Sequence, residues 1–294
     1  MTKVAVVAHS RKTLGGGLPE LRTVLEDAGC RSPAWFEVFK SKQAPACARE
    51  AVEQGAELVF VWGGDGTVQR CVDAVAGSGA SLAVIPAGTA NLLARNLGIP
   101  PDIAEAVRIG LHGDRRALDT GTVNGEHFAV MAGAGLDALM ITDADAGLKD
   151  RMGRAAYLWT GARNLNASPV KATVDVDGRR FHKGTITCVL AGNMSQVLGG
   201  VEVFDGSQPD DGLLEVGVVT ARSRRAWIRT LARVVVGNTE KSPFVVVARG
   251  TSIKVVFDKP TAYELDGGAR KAVTRLKIKV KPTSVTFCVP TGDA

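Results

Sequence analysis

Through the first hundred residues apolar positions come in short runs, at 3–8, 34–39, 57–62 and 81–85, each followed by a longer helix-compatible stretch. Runs of that length bounded by glycine, serine or proline read as buried strands, and their alternation with helices near 18–29, 43–54, 67–77 and 90–111 predicts a parallel sheet with crossover helices. The last helix is broken at Pro100-Pro101. From about residue 114 the rhythm changes to short alternating runs at 115–123, 126–131, 170–176, 179–192, 213–219, 244–249, 251–258, 261–265, 273–281 and 284–289. Asn124-Gly125 and Asp177-Gly178 between them are hairpin turn signals, and the set predicts an antiparallel β-sandwich. The expected organisation is therefore an α/β domain over 1–113 and a β-sandwich domain over 114–294.

Two helical patterns interrupt the second half. Leu148, Met152, Ala155, Ala156, Trp159, Ala162 and Leu165 line one face of 146–166, a docking helix. The segment 223–236 carries Arg224, Arg225, Arg229 and Arg233, with Arg222 just before it, around Trp227, Ile228 and Leu231. A basic amphipathic helix with a tryptophan can rest at a lipid headgroup interface, and it can equally be an ordinary surface helix.

The stretch around which the chain is organised is 58–67, a strand pattern that stops in Gly63-Gly64-Asp65-Gly66-Thr67 before a helix. Such a loop presents backbone N–H groups without side chains in the way, at a helix N-terminus that favours negative charge, and so can approach a phosphate. Asp65 among those glycines suits a metal ion, its bound water or a substrate hydroxyl. A second strand, 81–85, ends in Pro86-Ala87-Gly88-Thr89-Ala90-Asn91. Successive parallel strands bring both loops to one sheet edge, where such sheets bind ligands.

These two loops, with the continuation Leu92-Leu93-Ala94-Arg95-Asn96-Leu97-Gly98-Ile99-Pro100, resemble the catalytic domain of the diacylglycerol kinase family, which includes sphingosine kinases and bacterial soluble lipid kinases. The first loop is shared with NAD kinases and phosphofructokinases; the second distinguishes the lipid kinases. The resemblance implies a nucleotide-binding first domain and a β-sandwich second domain, with the end of the chain returning to the first. It implies ATP and Mg²⁺ as cofactors and His9, Ser10, Lys12, Lys40, Gly63, Gly64, Asp65, Gly66, Thr67, Gly88, Thr89 and Asn91 as the nucleotide site. Ala8-His9 stands where the family usually has Asn-Pro, and Val68-Gln69-Arg70 where it commonly has Val-Asn-Glu. A structural magnesium in the turn 208–216 is implied at Gln208, Asp211 and Leu213, through one carboxylate and backbone carbonyls.

The family typically places a catalytic glutamate in an Asp-Gly-Glu turn. Here Glu264-Leu265-Asp266-Gly267-Gly268 keeps the Asp-Gly and has glycine for the glutamate. Three readings follow: Asp65 or Asp266 acts as base, with Asp65 first and Asp266 second; Glu264 reaches in from a shifted turn; or the protein is a weak or inactive kinase.

Composition narrows the classes. With 45% hydrophobic and 22% charged residues, the chain reads as a soluble globular protein. Its start carries no secretory signal pattern and no stretch is long and apolar enough to span a bilayer, so a cytosolic location is expected. Five scattered cysteines and four isolated histidines suggest neither a disulfide framework nor a zinc or histidine metal centre. The formal charge of +6 fits an anionic membrane surface or simple solubility, and no nucleic-acid module is recognisable. The function expected is ATP-dependent phosphorylation of a lipid hydroxyl, on diacylglycerol or a related glycerolipid or long-chain base, by a protein that meets its substrate peripherally at a membrane. Rival readings are an NAD kinase-like enzyme and a non-catalytic nucleotide- or lipid-binding regulator. Whether it forms a homodimer stays open.

Overall fold

The computed structural model describes residues 2–135, 169–198, 201–204, 206–235 and 242–292. The chain forms two compact units, Met1–Thr120 with Pro282–Ala294, and Gly121–Lys281. The docking helix expected over 146–166 lies outside the described residues.

The first unit is built on β1 (Val4–His9), β2 (Ala34–Val38), β3 (Leu58–Gly63) and β4 (Ser81–Pro86), ordered β4-β3-β1-β2 and all parallel. β1 and β3 are buried at every position, which is why their sequences are continuous apolar runs rather than alternating ones. The crossovers are α1 (Gly17–Asp27), α2 (Ala44–Glu53) and α3 (Asp65–Val75), and α4 (Leu92–Asn96) and α5 (Ile103–His112) follow β4. α1 packs with α5, and α2 with α3. The helix expected over 90–111 is divided, because Gly98 takes a left-handed conformation (φ 69°) and prolines follow at 100 and 101. At the chain's end Thr286 and Phe287 pair in parallel with Ser81 and Leu82 of β4.

The second unit is antiparallel. After β5 (Asp114–Val123), which enters it, come β6 (Glu126–Phe128), β7 (Met131–Ala134), β8 (Val170–Val176), β9 (Arg179–Ile186), β10 (Cys188–Gly192), β11 (Gln196–Leu198), β12 (Val201–Glu202) and β13 (Leu214–Val219). Then follow α6 (Arg224–Val235), β14 (Val245–Gly250), β15 (Ser252–Leu265) and β16 (Gly268–Val289). Inward positions of these strands form one core containing Phe128, Val174, Ile186, Val216, Val255 and Leu265. Three hairpins turn on Asn124-Gly125, Asp177-Gly178 and Asp266-Gly267, with both central residues at positive φ in each.

Several expected strands are joined or split. 251–258 and 261–265 are one strand, whose register against β16 slips between Val256 and Thr261, where Pro260 has no N–H to give. 273–281 and 284–289 are also continuous, within β16. 126–131 is split instead, because the amides of Ala129, Val130 and Met131 turn to the Asp266 carboxylate. In α6, Trp227 is only 6% exposed and Thr230 donates to the Ala226 carbonyl at 2.9 Å. The tryptophan therefore anchors the helix to its own unit and is not presented to a lipid surface; the exposed side chains of this helix include Arg225, Arg229 and Arg233.

α5 approaches the sheet at Gly110, where a Cβ would lie 2.2 Å from the Phe60 ring and 2.9 Å from the Ala83 methyl. We expect Gly110→Ala to destabilise the protein by about 1–3 kcal/mol through overpacking, seen as a lower urea midpoint with an unchanged denaturant slope.

Candidate active site

Between β3 and α3 lies a single residue, Gly64, in an extended conformation. A Cβ on Gly63 would stand 2.6 Å from Thr67 Cβ. One on Gly88 would stand 2.4 Å from the Gly64 Cα and 2.6 Å from Asn91 Oδ1. The two loops therefore touch backbone to backbone, and a side chain at 88 has no space.

Asp65 fastens this contact. As the first residue of α3, it accepts hydrogen bonds from the backbone N–H groups of Asn91 (2.9 Å) and Leu92, the residues that open α4. Its carboxylate thus serves two of the amides a helix start leaves without partners. Asn91 sits in the left-handed region (φ 49°, ψ 51°) and closes its own loop, with Oδ1 accepting from Gly88 N–H at 2.9 Å and Nδ2 donating to the Pro86 and Gly88 carbonyls at 3.1 and 3.0 Å. Burial raises the Asp65 pKa, and the bonds from Leu92 and Asn91 oppose the rise. The result is a carboxylate that holds a proton more readily than one in water.

The loop after β1 folds against the same place. Trp62 Nε1 donates to the Lys12 carbonyl at 3.1 Å, and Lys12 Cε lies 3.9 Å from a Cβ placed on Gly64. Ser41 and Thr67 share a hydroxyl–hydroxyl bond of 3.0 Å. His9 is buried, and its pKa is lowered by burial and then by the Lys12 charge, which keeps it neutral at pH 7; its Nδ1 accepts from Arg11 N–H. Ser10 turns away, with its N–H and Oγ both directed at the Val38 carbonyl. Thr89 is exposed on the second loop, and the Lys40 amide donates to Gln43 Oε1 at 3.0 Å. Trp62 and Gln43 join the cluster through contacts that no spacing rule announces. The α3 N-terminus, bare glycine backbone and the nearby Lys12 make a surface suited to phosphate.

In the second unit Asp266 occupies the first position of the β15–β16 turn. Oδ1 accepts from Val130 and Met131 N–H at 2.9 and 2.8 Å, and Oδ2 from Ala129 N–H at 2.8 Å. Glu264 is 5% exposed, and its Oε2 has no hydrogen-bond partner. Burial, and secondarily the Asp266 charge, push the Glu264 pKa up to about 7. Gly268 opens β16 directly opposite Leu265; a Cβ there would stand 2.9 Å from Nη1 of Arg270, which is itself held by Glu126 through Nε at 2.8 Å.

Residues 8–123 match the family model of the diacylglycerol kinase catalytic domain, and residues 130–289 that of the YegS C-terminal NAD kinase beta sandwich-like domain. The chain belongs to the diacylglycerol kinase family. A Pseudomonas aeruginosa protein named "Probable lipid kinase YegS-like" is 30% identical over 302 residues, spanning 99% of this chain and 95% of the relative. The Bacillus subtilis protein named "Diacylglycerol kinase" is 29% identical over 228 residues, with 76% of this chain and 75% of that protein covered. Among solved structures, a diacylglycerol kinase from Bacillus anthracis superposes with a TM-score of 0.77 at 23% identity, covering 98% of this chain and 96% of that one. An NAD kinase from Archaeoglobus fulgidus reaches 0.54 at 12% identity, covering 97% and 93%, which is a likeness of fold. The protein is accordingly a kinase, and the family implies the use of ATP.

Within this diacylglycerol kinase family member, the structure bears on three sequence expectations. Asp266, the second acid–base candidate after Asp65, has three backbone amides on its carboxylate, so it also anchors the turn. Glu264 does not reach in from a shifted turn, because the turn keeps its two-residue register and Glu264 is enclosed. In the turn proposed for magnesium the Asp211 carboxylate has protein partners in this structure. Asp211 Oδ1 accepts from Leu213 N–H at 2.9 Å, and Oδ2 is 3.6 Å from the Arg249 guanidinium, which also binds Glu215 at 2.7 Å and the Gly206 carbonyl at 3.1 Å. With Arg249 already beside the one carboxylate of the set, Gln208 and Leu213 contribute only carbonyls. Among the described residues no group of three His, Cys, Asp or Glu side chains is gathered for a metal.

Two predictions follow from these contacts. Gly88→Ala forces a Cβ into the Gly64 backbone, and we expect ATP affinity to fall about ten- to a hundredfold by titration calorimetry, with far-UV circular dichroism unchanged. For Glu264 the raised pKa means that its protonated form stabilises the fold. That contribution is complete below the unfolded value of 4.5 and is lost as pH rises through about 7. Glu264→Gln should therefore gain on wild type by about 3 kcal/mol between pH 4 and pH 8, measured by urea denaturation at both ends.

Proposed function

We propose that this kinase transfers the γ-phosphate of ATP to a hydroxyl of a lipid, diacylglycerol or a related glycerolipid or long-chain base. The observation that carries the reading is the pair of glycine loops held together by Asp65. It gives a family kinase a side-chain-free floor on which nucleotide phosphates can lie. Lys12 beside that floor supplies a positive charge, and the α3 N-terminus supplies N–H donors. Relatives named as lipid and diacylglycerol kinases support the acceptor class, as does the second loop with its Ala94-Arg95 and Asn96-Leu97-Gly98-Ile99 continuation.

Phosphoryl transfer is carried mainly by positioning and by neutralising charge, with a modest share for a base. Asp65 is the acid of the two loops, and its raised pKa suits it to receive the proton of the attacking hydroxyl. It is also the residue that would face Mg²⁺ brought in with ATP, the ion whose part is to neutralise phosphate charge. The absence of a glutamate at 268 places this duty on Asp65. On this reading the kinase meets its lipid as a peripheral protein from the cytoplasmic side; no helix among the described residues is long and apolar enough to cross a membrane.

The test is transfer from labelled ATP to a panel of lipids in detergent micelles, with NAD as a parallel acceptor. Wild type should label a lipid and not NAD. Asp65→Ala should lower kcat/KM by about a hundredfold or more, since it removes the base and leaves the Asn91 and Leu92 amides without their acceptor. ATP binding without transfer to any lipid would favour a non-catalytic regulator and end the kinase proposal.

A further inference from the structure

The outer face of β16 carries Arg275, Lys277, Lys279 and Lys281 at every second position, all exposed, while Leu276 and Ile278 between them are buried. With a strand rise near 3.3 Å, the four cations form a row about 20 Å long. Antiparallel pairing sets Lys254 of β15 directly opposite Lys277. Like charges at opposed positions destabilise a sheet, and an anion lying over this pair would offset that repulsion. The acid on the other side of Lys254 is Asp175 of β8, and its Oδ1 is already bound by Arg180 at 2.6 Å. Among the described residues no carboxylate lies within ion-pair distance of Lys254, Arg275, Lys277, Lys279 or Lys281. Lys277, Lys279 and Lys281 also line an open groove of about 580 Å³ with Asn124 and His127, and no acidic side chain lines it.

The geometry points to this face as a docking surface for an anionic lipid bilayer, an inference that rests on the lipid-kinase reading. The row is extended and open along its length, which fits a plane of headgroups better than one small anion. A single-stranded nucleic acid would want exposed aromatic rings for base stacking, whereas a duplex would need only phosphate contacts and is told apart by competition. The large hydrophobic side chains exposed among the described residues are Phe39 and Val246, and neither is on β15 or β16. Each lysine near an anionic membrane adds a separate electrostatic increment, so the row acts by addition and is weakened by salt.

The experiment is co-sedimentation of the full chain, without ATP, with phosphatidylcholine vesicles that do or do not contain phosphatidylglycerol. Wild type should partition onto the anionic vesicles alone and lose binding at high salt. The triple variant Lys277→Glu/Lys279→Glu/Lys281→Glu should lose on the order of a hundredfold in partitioning. The milder Lys277→Gln/Lys279→Gln/Lys281→Gln, checked for folding by circular dichroism, should lose at least about tenfold. Arg225→Glu/Arg229→Glu on α6 should change binding by less than about threefold. The proposal is overturned if either lysine variant binds as wild type does, if the α6 variant accounts for the loss, if neutral vesicles bind equally well, or if a DNA duplex displaces the vesicles. Phosphorylation of lipid in uncharged micelles is measured separately and should be the same in wild type and the Gln variant. Its absence in wild type would remove the lipid-kinase reading, whereas normal micelle activity with unchanged vesicle binding by the variants would remove only the docking surface.

Discussion

The contact on which the candidate site depends is the one between Gly64 and Gly88. Two strand-to-helix loops meet there with no side chain between them, at a distance where a Cβ on Gly88 would lie 2.4 Å from the opposite Cα. Backbone this close cannot be held by packing, because there is nothing to pack. It is held by polar bonds, above all the two that Asp65 accepts from the start of α4. Asn91 adds three more within its own loop and takes the left-handed conformation that asparagine tolerates better than most residues. A rigid, bare surface of amides follows, and rigidity is what phosphate recognition requires if charge is to be met without reorganisation.

The second unit uses a carboxylate in the same way. Asp266 gathers the amides of Ala129, Val130 and Met131, and so fixes the break between β6 and β7 relative to the β15–β16 turn. Three charge-assisted bonds to backbone hold this carboxylate in place. Its neighbour Glu264 is in the opposite position, enclosed with an oxygen that has no partner, and so it favours the neutral form up to about pH 7. Environment, and not residue type, separates the two. The same holds at Asp211, where a carboxylate in a turn that suggests a metal also faces Arg249. In each case a motif names the residue, while the partners that decide its chemistry come from strands far away in sequence.

Much of the architecture was legible in the sequence because each unit rests on local pattern. The continuous apolar runs at 3–8 and 57–62 announce strands buried on both faces, and the runs at 57–62 and 81–85 end where Gly63 and Pro86 interrupt them. Asn124-Gly125 and Asp177-Gly178 announce hairpins because both central residues must adopt positive φ. Strand boundaries in the second half were less legible. The slip at Pro260 and the break at 129–130 depend on what the neighbouring strand offers, and neither partner is close in the chain.

By itself, then, the sequence determined the order of strands and helices, the parallel and antiparallel character of the two halves, and the glycine loops with the acid between them. These are set by the periodicity of burial and by residues with restricted or permissive backbones, properties that act over a few positions. Only the tertiary structure decided that Asp65 binds the second loop, that Asp266 is an anchor, that Trp227 is buried and that Lys254 stands opposite Lys277. Those facts depend on register and on the meeting of distant segments, where hydrogen bonds and charges are shared between residues that no local pattern relates.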